Sequence, residues 1–262
     1  MDINKRKEDD LMVELNTIYN EDCLVGMADI PDKSVDMILC DLPYGVTACK
    51  WDTVIPFEPL WGEYERVIKD DGAIVLTASQ PFTSALVMSN PSIFKYEWVW
   101  DKRNVTNPMS AKYRPMGQHE SILIFGKGKT KYNPQFEIIK KDDYRYSKSG
   151  RVTKSHKDTV YGDMKDLKLK ESGKRYPKTI LPIANSNSVK KIHPTQKPVA
   201  LFEYLIKTYT NEGDTVLDNC MGSGTTAIAA INTGRNYIGY ELDEEYHKLS
   251  EQRISDHIKS ED

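Results

Sequence analysis

The sequence lacks the features of a membrane, secreted or metal-binding protein. No apolar run reaches the roughly 18 residues that a membrane span needs, and the charged N-terminus has no apolar signal core. The four cysteines, Cys23, Cys40, Cys49 and Cys220, show no C-x-x-C spacing, which argues against a zinc knuckle and a disulfide framework. The five histidines are scattered without metal-ligand spacing. We therefore expect a cytoplasmic protein with reduced cysteines, no metal ion and no membrane partner.

Charge is unevenly distributed along the chain. Charged residues make up 29% and hydrophobic residues 39% of the 262 positions, which is ordinary for a globular protein with a sizeable core. The formal net charge is only −3, yet the segment from Lys102 to Ile192 holds 22 Lys/Arg against 8 Asp/Glu, with six tyrosines among them. This segment fits a surface that follows nucleic-acid phosphates, and a merely solvated face is the alternative.

Alternating strand and helix patterns predict an α/β fold. Apolar runs typical of buried strands occur at 35–41, 72–78, 94–102 and 120–128, and a helix with a stop at Gly72 lies between the first two. After residue 193 the alternation returns, with helices predicted at 198–210, 223–234 and 243–258 and strands at 214–219 and 236–241. We expect one doubly wound, mostly parallel sheet.

The middle of the chain breaks this alternation. Residues 128–192 have weak periodicity and are rich in Lys, Tyr, Ser, Gly and Asn, a composition that predicts an irregular surface insertion. The catalytic domain should therefore be assembled from residues 1–127 and 193–262, with the insertion between them.

A glycine-rich turn marks the candidate cofactor site. In the string VLDNCMGSGTT a strand ends at Asp218, and a tight loop with Gly222 and Gly224 leads into a helix. The next strand ends at Glu241, at about the spacing where an acid meets ribose hydroxyls. A dinucleotide site would need a third glycine where Ala227 stands, and Asp218 would repel a pyrophosphate. The acid suits the ammonium group of S-adenosylmethionine and disfavours a nicotinamide-dependent dehydrogenase.

A second motif follows the strand at 35–41 directly. Asp41, Leu42, Pro43 and Tyr44 should lie at the carboxyl edge of the sheet, where ligands bind. An aryl amine is a poor nucleophile because its lone pair is delocalised into the ring. The Asp41 carboxylate and the Leu42 carbonyl, both accepting hydrogen bonds from the amine, favour a more nucleophilic nitrogen. Pro43 stiffens the turn, and Tyr44 offers an aromatic face to a base removed from its stack.

Three strings in a fixed order carry a family resemblance. DLPYG (41–45), HPTQKP (193–198) and DNCMGSGTT (218–226) together resemble the β-class amino-methyltransferases of DNA, in which the catalytic motif, a target-recognition insertion and the cofactor loop follow in this circularly permuted order. The resemblance implies a Rossmann-like fold that uses S-adenosylmethionine to methylate a flipped base in a specific duplex sequence. Asp41 in first position points to adenine N6, with cytosine N4 as the alternative. A DNA-binding module without catalysis is the alternative of another class, and it leaves both motifs without a role.

The resemblance also implies roles for single residues. The sequence departs from the family at Leu42, where Pro is usual. The role implied there is that of a main-chain carbonyl, so Leu should serve with some loss of rigidity. The resemblance leaves open whether the chain forms a homodimer and whether it has a restriction endonuclease partner. It implies a location in the bacterial cytoplasm, for a protein of cellular or phage origin. The implied groups are Asp41, Leu42, Pro43 and Tyr44 for the base, and Asp218, Gly222, Gly224, Thr195 and Lys197 for the methionine part of the cofactor, with Glu241 for the ribose and Asp22 and Cys23 for the adenine. Phosphate contacts are expected from Lys102, Arg103, Lys140, Lys141 and Arg145.

Overall fold

The chain divides into two compact units. The computed structural model describes residues 13–46, 52–140, 156–159, 162–164, 173–185 and 196–261. Unit 1 comprises residues 1–133 and 179–262, and unit 2 is Pro134–Lys178. Unit 2 therefore begins later and ends earlier than the insertion expected at 128–192, and its part in target recognition stays a prediction.

Unit 1 is built on one eight-stranded sheet. Its strands are β1 (Thr17–Tyr19), β2 (Val35–Cys40), β3 (Ile68–Ala78), β4 (Phe94–Thr106), β5 (Gly117–Phe125), β10 (Ile180–Pro182), β11 (Thr215–Asp218) and β12 (Asn236–Tyr240). They lie in the order β1-β12-β11-β2-β3-β5-β4-β10. Neighbours pair in parallel except at β5, which is antiparallel to both β3 and β4.

The described part of unit 2 contains two short antiparallel pairs. They are formed by β6 (Glu137–Ile138) with β9 (Lys174–Arg175), and by β7 (His156–Thr159) with β8 (Gly162–Met164). Within this unit the ring of Phe136 packs on Tyr176, and the ammonium of Lys174 lies 5.9 Å from the centre of the Phe136 ring.

Helices cover both faces of the sheet in unit 1. They are α1 (Cys23–Met27), α2 (Phe57–Val67), α3 (Phe82–Ser89), α4 (Val199–Tyr209), α5 (Thr225–Asn232) and α6 (Glu244–Glu261), with a 3₁₀ turn at Pro108–Ser110. All six residues of β2 are buried. Met37 and Leu39 pack in one apolar cluster with α4 and α5, whereas Ile38 and Cys40 pack in a second cluster with α1, α2 and α3. The period-two alternation of strand side chains thus buries both faces, as a doubly wound sheet requires.

Two boundaries differ from the sequence prediction. The helix expected to stop at Gly72 ends at Val67, because Ile68 already pairs with Val35 as part of β3. Ile180–Pro182, which the sequence assigned to the insertion, forms β10 beside β4 in the main sheet. No helix in the described ranges combines the length and apolarity of a membrane span.

Candidate active site

Three predicted acids meet at one edge of the sheet. Asp41 directly follows β2, Asp218 ends β11, and Glu241 directly follows β12. These strands are parallel neighbours, so their carboxyl ends lie side by side. All three acids line one cavity of 960 Å³, a volume near the upper end of the range for small-molecule sites. The edge thus holds both predicted motifs in one space.

The glycine loop is tied to the next strand by Glu241. Gly222 and Gly224 have φ angles of 54° and 76°, a region that costs other residues strain. The backbone N–H of Gly222 donates to Glu241 Oε2 at 2.7 Å, and that of Asp243 donates to Oε1 at 2.9 Å. Burial raises the pKa of Glu241 above its ordinary value, although both hydrogen bonds oppose the shift. Each carboxylate oxygen keeps lone-pair capacity for a further donor.

Asp218 is a buried carboxylate beneath the same loop. It accepts a hydrogen bond from the Thr226 hydroxyl and one from the backbone N–H of Cys220, the latter at 3.0 Å. Burial raises the pKa of Asp218 to about 6, and these donors offset only part of that effect. A desolvated carboxylate of this kind is stabilised by a nearby cation. The site therefore favours a ligand that carries positive charge.

Asp41 is held by three donors. The Tyr44 hydroxyl donates to Asp41 Oδ1 at 2.8 Å, the Thr77 hydroxyl donates to the same oxygen, and Lys197 Nζ donates to Oδ2 at 2.7 Å. The ring of Tyr44 stacks on Phe82 with 5.2 Å between ring centres. These hydrogen bonds to fixed donors, one of them charge-assisted, set the position of the carboxylate.

Lys197 links Asp41 to a second carboxylate. Its buried ammonium lies 3.3 Å from Glu120 Oε2, and Glu120 Oε1 lies 3.1 Å from Lys102 Nζ. Burial alone would lower the pKa of Lys197, but the charges of Asp41 and Glu120 outweigh it, and the pKa is raised. Four buried or half-buried charges of alternating sign therefore run from Lys102 to Asp41. Lys197, expected at the methionine end of the cofactor, contacts the carboxylate of the base motif, and its predicted contact with the cofactor stays a prediction.

Lys102, predicted to contact phosphate, is buried at the cavity. Its side chain is 9% exposed and is paired with Glu120 at the cavity, so it does not present a charge to bulk solvent. Arg103 is exposed, with its Nε 3.6 Å from Asp101, and Lys140 is exposed in unit 2. Thr195, Lys141 and Arg145 lie outside the described residues.

The two residues proposed for the cofactor adenine begin a helix. The β1 strand ends at Tyr19, and Asp22 caps α1 by accepting a hydrogen bond from the Leu24 N–H at 2.8 Å. Cys23 is the buried first residue of that helix. Both line the cavity, together with Asn219, whose Oδ1 accepts a hydrogen bond from the buried Tyr64 hydroxyl at 2.5 Å.

Thr77, Glu120 and Asn219 were not found from the sequence. Thr77 lies near the end of β3, and Glu120 near the start of β5. Asn219 stands within the DNCMGSGTT string, but no role was assigned to it, and Thr77 and Glu120 stand in none of the three strings. Glu120 reaches this edge only because β5 runs antiparallel to its neighbours. Among the described side chains, no group of three or more His, Cys, Asp or Glu is arranged to hold a metal ion.

Known proteins are similar to this chain in sequence and in fold. It is 30% identical over 260 residues to the type II methyltransferase M1.MboII of Moraxella bovis, covering 90% of this chain and 95% of that protein. It is 29% identical over 257 residues to the DNA adenine methyltransferase YhdJ of Escherichia coli (strain K12), covering 92% and 83%.

Solved structures with a similar backbone include a complex with SAM and a cytosine-N4-specific enzyme. The M1.HpyAVI–SAM complex matches with a TM-score of 0.60 at 24% identity, over 91% of this chain and 98% of that one. The cytosine-N4-specific PvuII DNA methyltransferase matches with a TM-score of 0.62 at 17% identity, over 94% and 92%. At these identities the likeness concerns the fold, and it confirms the predicted α/β architecture.

A sequence model described as DNA methylase matches residues 35–252, which run from the start of β2 into α6. That span contains the base motif, the described end of the HPTQKP string and the glycine loop, and it covers most of the chain. The predicted DNA methyltransferase is thereby confirmed, and the chain belongs to the DNA methylase family.

Proposed function

We propose that this DNA methylase transfers the methyl group of S-adenosylmethionine to N6 of an adenine that is flipped out of duplex DNA within a specific sequence. The observation that carries the proposal is the position of Asp41 and Asp218. They stand at the ends of two adjacent parallel strands and line one cavity. An amino group bound by the first and a cationic methyl donor bound by the second meet in the same enclosed space.

The residues around the glycine loop suit S-adenosylmethionine. Asp218 supplies a desolvated carboxylate for the ammonium group of the methionine part. Gly222 and Gly224 let a ligand approach the backbone closely, and Glu241 keeps acceptor capacity for two ribose hydroxyls. When bound, the cofactor supplies an electrophilic methyl group on a positively charged sulfur.

The base motif prepares the amino nitrogen for attack. The Asp41 carboxylate and the Leu42 carbonyl accept its two N–H groups, which draws the nitrogen away from planarity. Lys197 holds the Asp41 carboxylate in place through a charge-assisted hydrogen bond. The methylated nitrogen releases one proton, for which Asp41 is the nearest acceptor on the way to water. Catalysis then rests mainly on orientation and hydrogen bonding.

Adenine is favoured over cytosine by one residue and one relative. The motif begins with Asp41, which in the resembling family points to adenine N6, and the relative YhdJ is named a DNA adenine methyltransferase. The likeness to the cytosine-N4-specific PvuII enzyme at 17% identity concerns the fold alone. Cytosine N4 is therefore the outcome that the test must exclude.

Single-molecule sequencing tests both the base and its sequence context. Plasmid DNA is isolated from a host that lacks amino-methyltransferases of its own and expresses this chain. We expect N6-methyladenine in one recurring sequence, and N4-methylcytosine there would overturn the adenine assignment. The same readout gives the target sequence, which the later experiments need.

An Asp41→Asn variant tests the role of the motif. We expect unmodified plasmid DNA, while the purified variant still binds S-adenosylmethionine with little change, because Asp41 is assigned to the base. Lys197 keeps Glu120 as a partner at 3.3 Å, so the fold should survive. Asp256→Asn, at an exposed position of α6, is the matched control and should retain full activity. A comparable loss of cofactor affinity in Asp41→Asn would move Asp41 to the cofactor site.

A further inference from the structure

The connection between β4 and β5 exposes apolar side chains beside the cavity. We call residues 103–118 the hairpin tip. Within it Met109 is 95% exposed and Tyr113 is 89% exposed, the two highest values among the large apolar side chains of the described residues. Exposed apolar side chains that cluster mark interaction sites, whereas single ones are normal, and these two stand on one short turn. A partner that covers them has to be identified from the surroundings.

Hydrogen bonds hold the backbone of the hairpin tip in a defined turn. The 3₁₀ turn at Pro108–Ser110 is followed by backbone hydrogen bonds from Tyr113 N–H and Arg114 N–H to the Ser110 carbonyl, at 2.9 and 3.0 Å. Across its base the Thr106 hydroxyl donates to the Gly117 carbonyl at 3.1 Å. These bonds present Met109 and Tyr113 on an ordered backbone, which lowers the entropic cost of inserting them into a partner.

The same hairpin forms part of the cavity wall. Thr106, Asn107, Gly117 and His119 line the cavity that also contains Asp41. A base that enters this cavity is still attached to its strand, so the duplex it has left must lie at the cavity mouth. The hairpin tip supplies Thr106, Asn107 and Gly117 to the cavity wall, so we infer that the rest of the tip faces that duplex.

The charge of the hairpin tip identifies the partner. Arg103, Lys112 and Arg114 are exposed, and the tip contains no Asp or Glu. Cationic side chains around an apolar group are the combination that DNA-bending proteins use, with phosphate contacts on either side of an inserted wedge. A purely apolar partner surface would leave the charges of Lys112 and Arg114 without a counterpart.

We propose that the hairpin tip is a DNA wedge, with Met109 and Tyr113 inserted into the duplex where the target base has left and Lys112 and Arg114 on the flanking phosphates. The inference rests on the proposed function, since it requires a base to leave the duplex. Apolar side chains between base steps replace part of the stacking that the departing base gives up. The wedge therefore favours the open duplex over the closed one.

The experiment compares paired and mispaired targets. Two synthetic duplexes carry the sequence read from methylated plasmid DNA, one with the target adenine correctly paired and one with it mispaired. For the double variant Met109→Ala/Tyr113→Ala we expect methyl transfer to slow by roughly tenfold or more on the paired duplex, and by less than about twofold on the mispaired one, whose base is already partly unstacked. A 2-aminopurine probe at the target should show a correspondingly smaller fluorescence rise.

Controls separate the wedge from the general function. Met88→Ala removes a methionine that is 71% exposed on α3 and should leave both duplexes unaffected. Affinity for S-adenosylmethionine should be unchanged in every variant. Unaltered rates in the double variant would overturn the wedge, and so would equal losses on both duplexes, which indicate a contact without a part in base opening. If the wild-type chain methylated no DNA at all, the proposed function itself would fail.

Discussion

At the scale of single residues, the raised pKa of Asp218 connects its burial in the fold with binding of the cofactor. A buried carboxylate that is only partly compensated keeps a raised pKa, here about 6, and it gains most from a bound cation. Because only the ionised form attracts an ammonium group, cofactor binding should be linked to the loss of a proton. The linkage can be measured directly.

Cofactor affinity should therefore decrease in mild acid. Below about pH 6 Asp218 becomes protonated before binding, so the dissociation constant of S-adenosylmethionine should rise by up to about tenfold per pH unit. Calorimetry between about pH 5 and pH 7, where the ligand amino group stays charged, measures this. Asp218→Asn should bind more weakly and with a flatter profile, the remaining slope belonging to Glu241, whose pKa burial also raises. The wild-type slope retained in Asp218→Asn would contradict the assignment.

Lys197 and Glu120 should differ in their effect on the rate of methyl transfer. Lys197→Met removes the ammonium that donates to Asp41 Oδ2 at 2.7 Å. A hydrogen bond to a charged group contributes about 1.5–3 kcal/mol, so the single-turnover rate should fall by roughly 10- to 150-fold. Glu120→Gln leaves the contact between Lys197 and Asp41 in place and should slow the reaction less. Equal losses in both variants, or unchanged rates, would contradict the positioning role of Lys197.

At the scale of secondary-structure elements, the sequence predicted the site wherever parallel strands end. Asp41, Asp218 and Glu241 each follow an apolar run, and the carboxyl ends of parallel strands meet at one edge. Their convergence could thus be inferred before any coordinates. The same logic cannot find Glu120, because it lies at the start of an antiparallel strand, and strand direction is not encoded in a local hydrophobic pattern.

The sequence also failed to predict short strands and buried ion pairs. β1 and β10 have three residues each, too few for a period to be recognised. Lys102 looks like a solvent-facing cation in the sequence, and only its contact with Glu120 explains why it is buried. Pairing between residues far apart in the chain decides such cases, and a single sequence does not contain that information.

At the scale of the whole molecule, the basic residues between 102 and 192 differ in whether acidic residues accompany them. Of the 22 Lys/Arg between 102 and 192, 13 lie in unit 2, where they are accompanied by 7 Asp/Glu. Within unit 1, Lys131 forms an ion pair with Asp214 at 2.6 Å, and Lys102 forms one with Glu120. The hairpin tip contributes three exposed cations without any acid. The local charge balance of unit 2 is thus weaker than the sequence count alone suggests.

DNA binding should depend steeply on salt if these surfaces follow the duplex. Each neutralised phosphate contributes about −0.9 to the slope of log affinity against log salt, so about six contacts give a slope near −5. Charge reversal at Lys140, Lys141 and Arg145 should make the slope shallower if unit 2 contributes phosphate contacts, and reversal at Lys112 and Arg114 should do so through the hairpin tip. Reversal at the exposed Lys207 and Lys259 of α4 and α6 is the control and should leave the slope unchanged.

Grafting separates electrostatic attraction from sequence reading. Phosphate contacts carry no base information, so the charge reversals should weaken binding to all sequences alike. Replacing 134–178 by the corresponding segment of a relative with another target should instead transfer the new specificity while cofactor affinity stays the same. A graft that kept the original target would place base reading in unit 1, at the hairpin tip and the loop after Tyr44. A salt slope near zero would mean that the basic segment is only a solvated face, because an interface that neutralises phosphates cannot avoid releasing counterions.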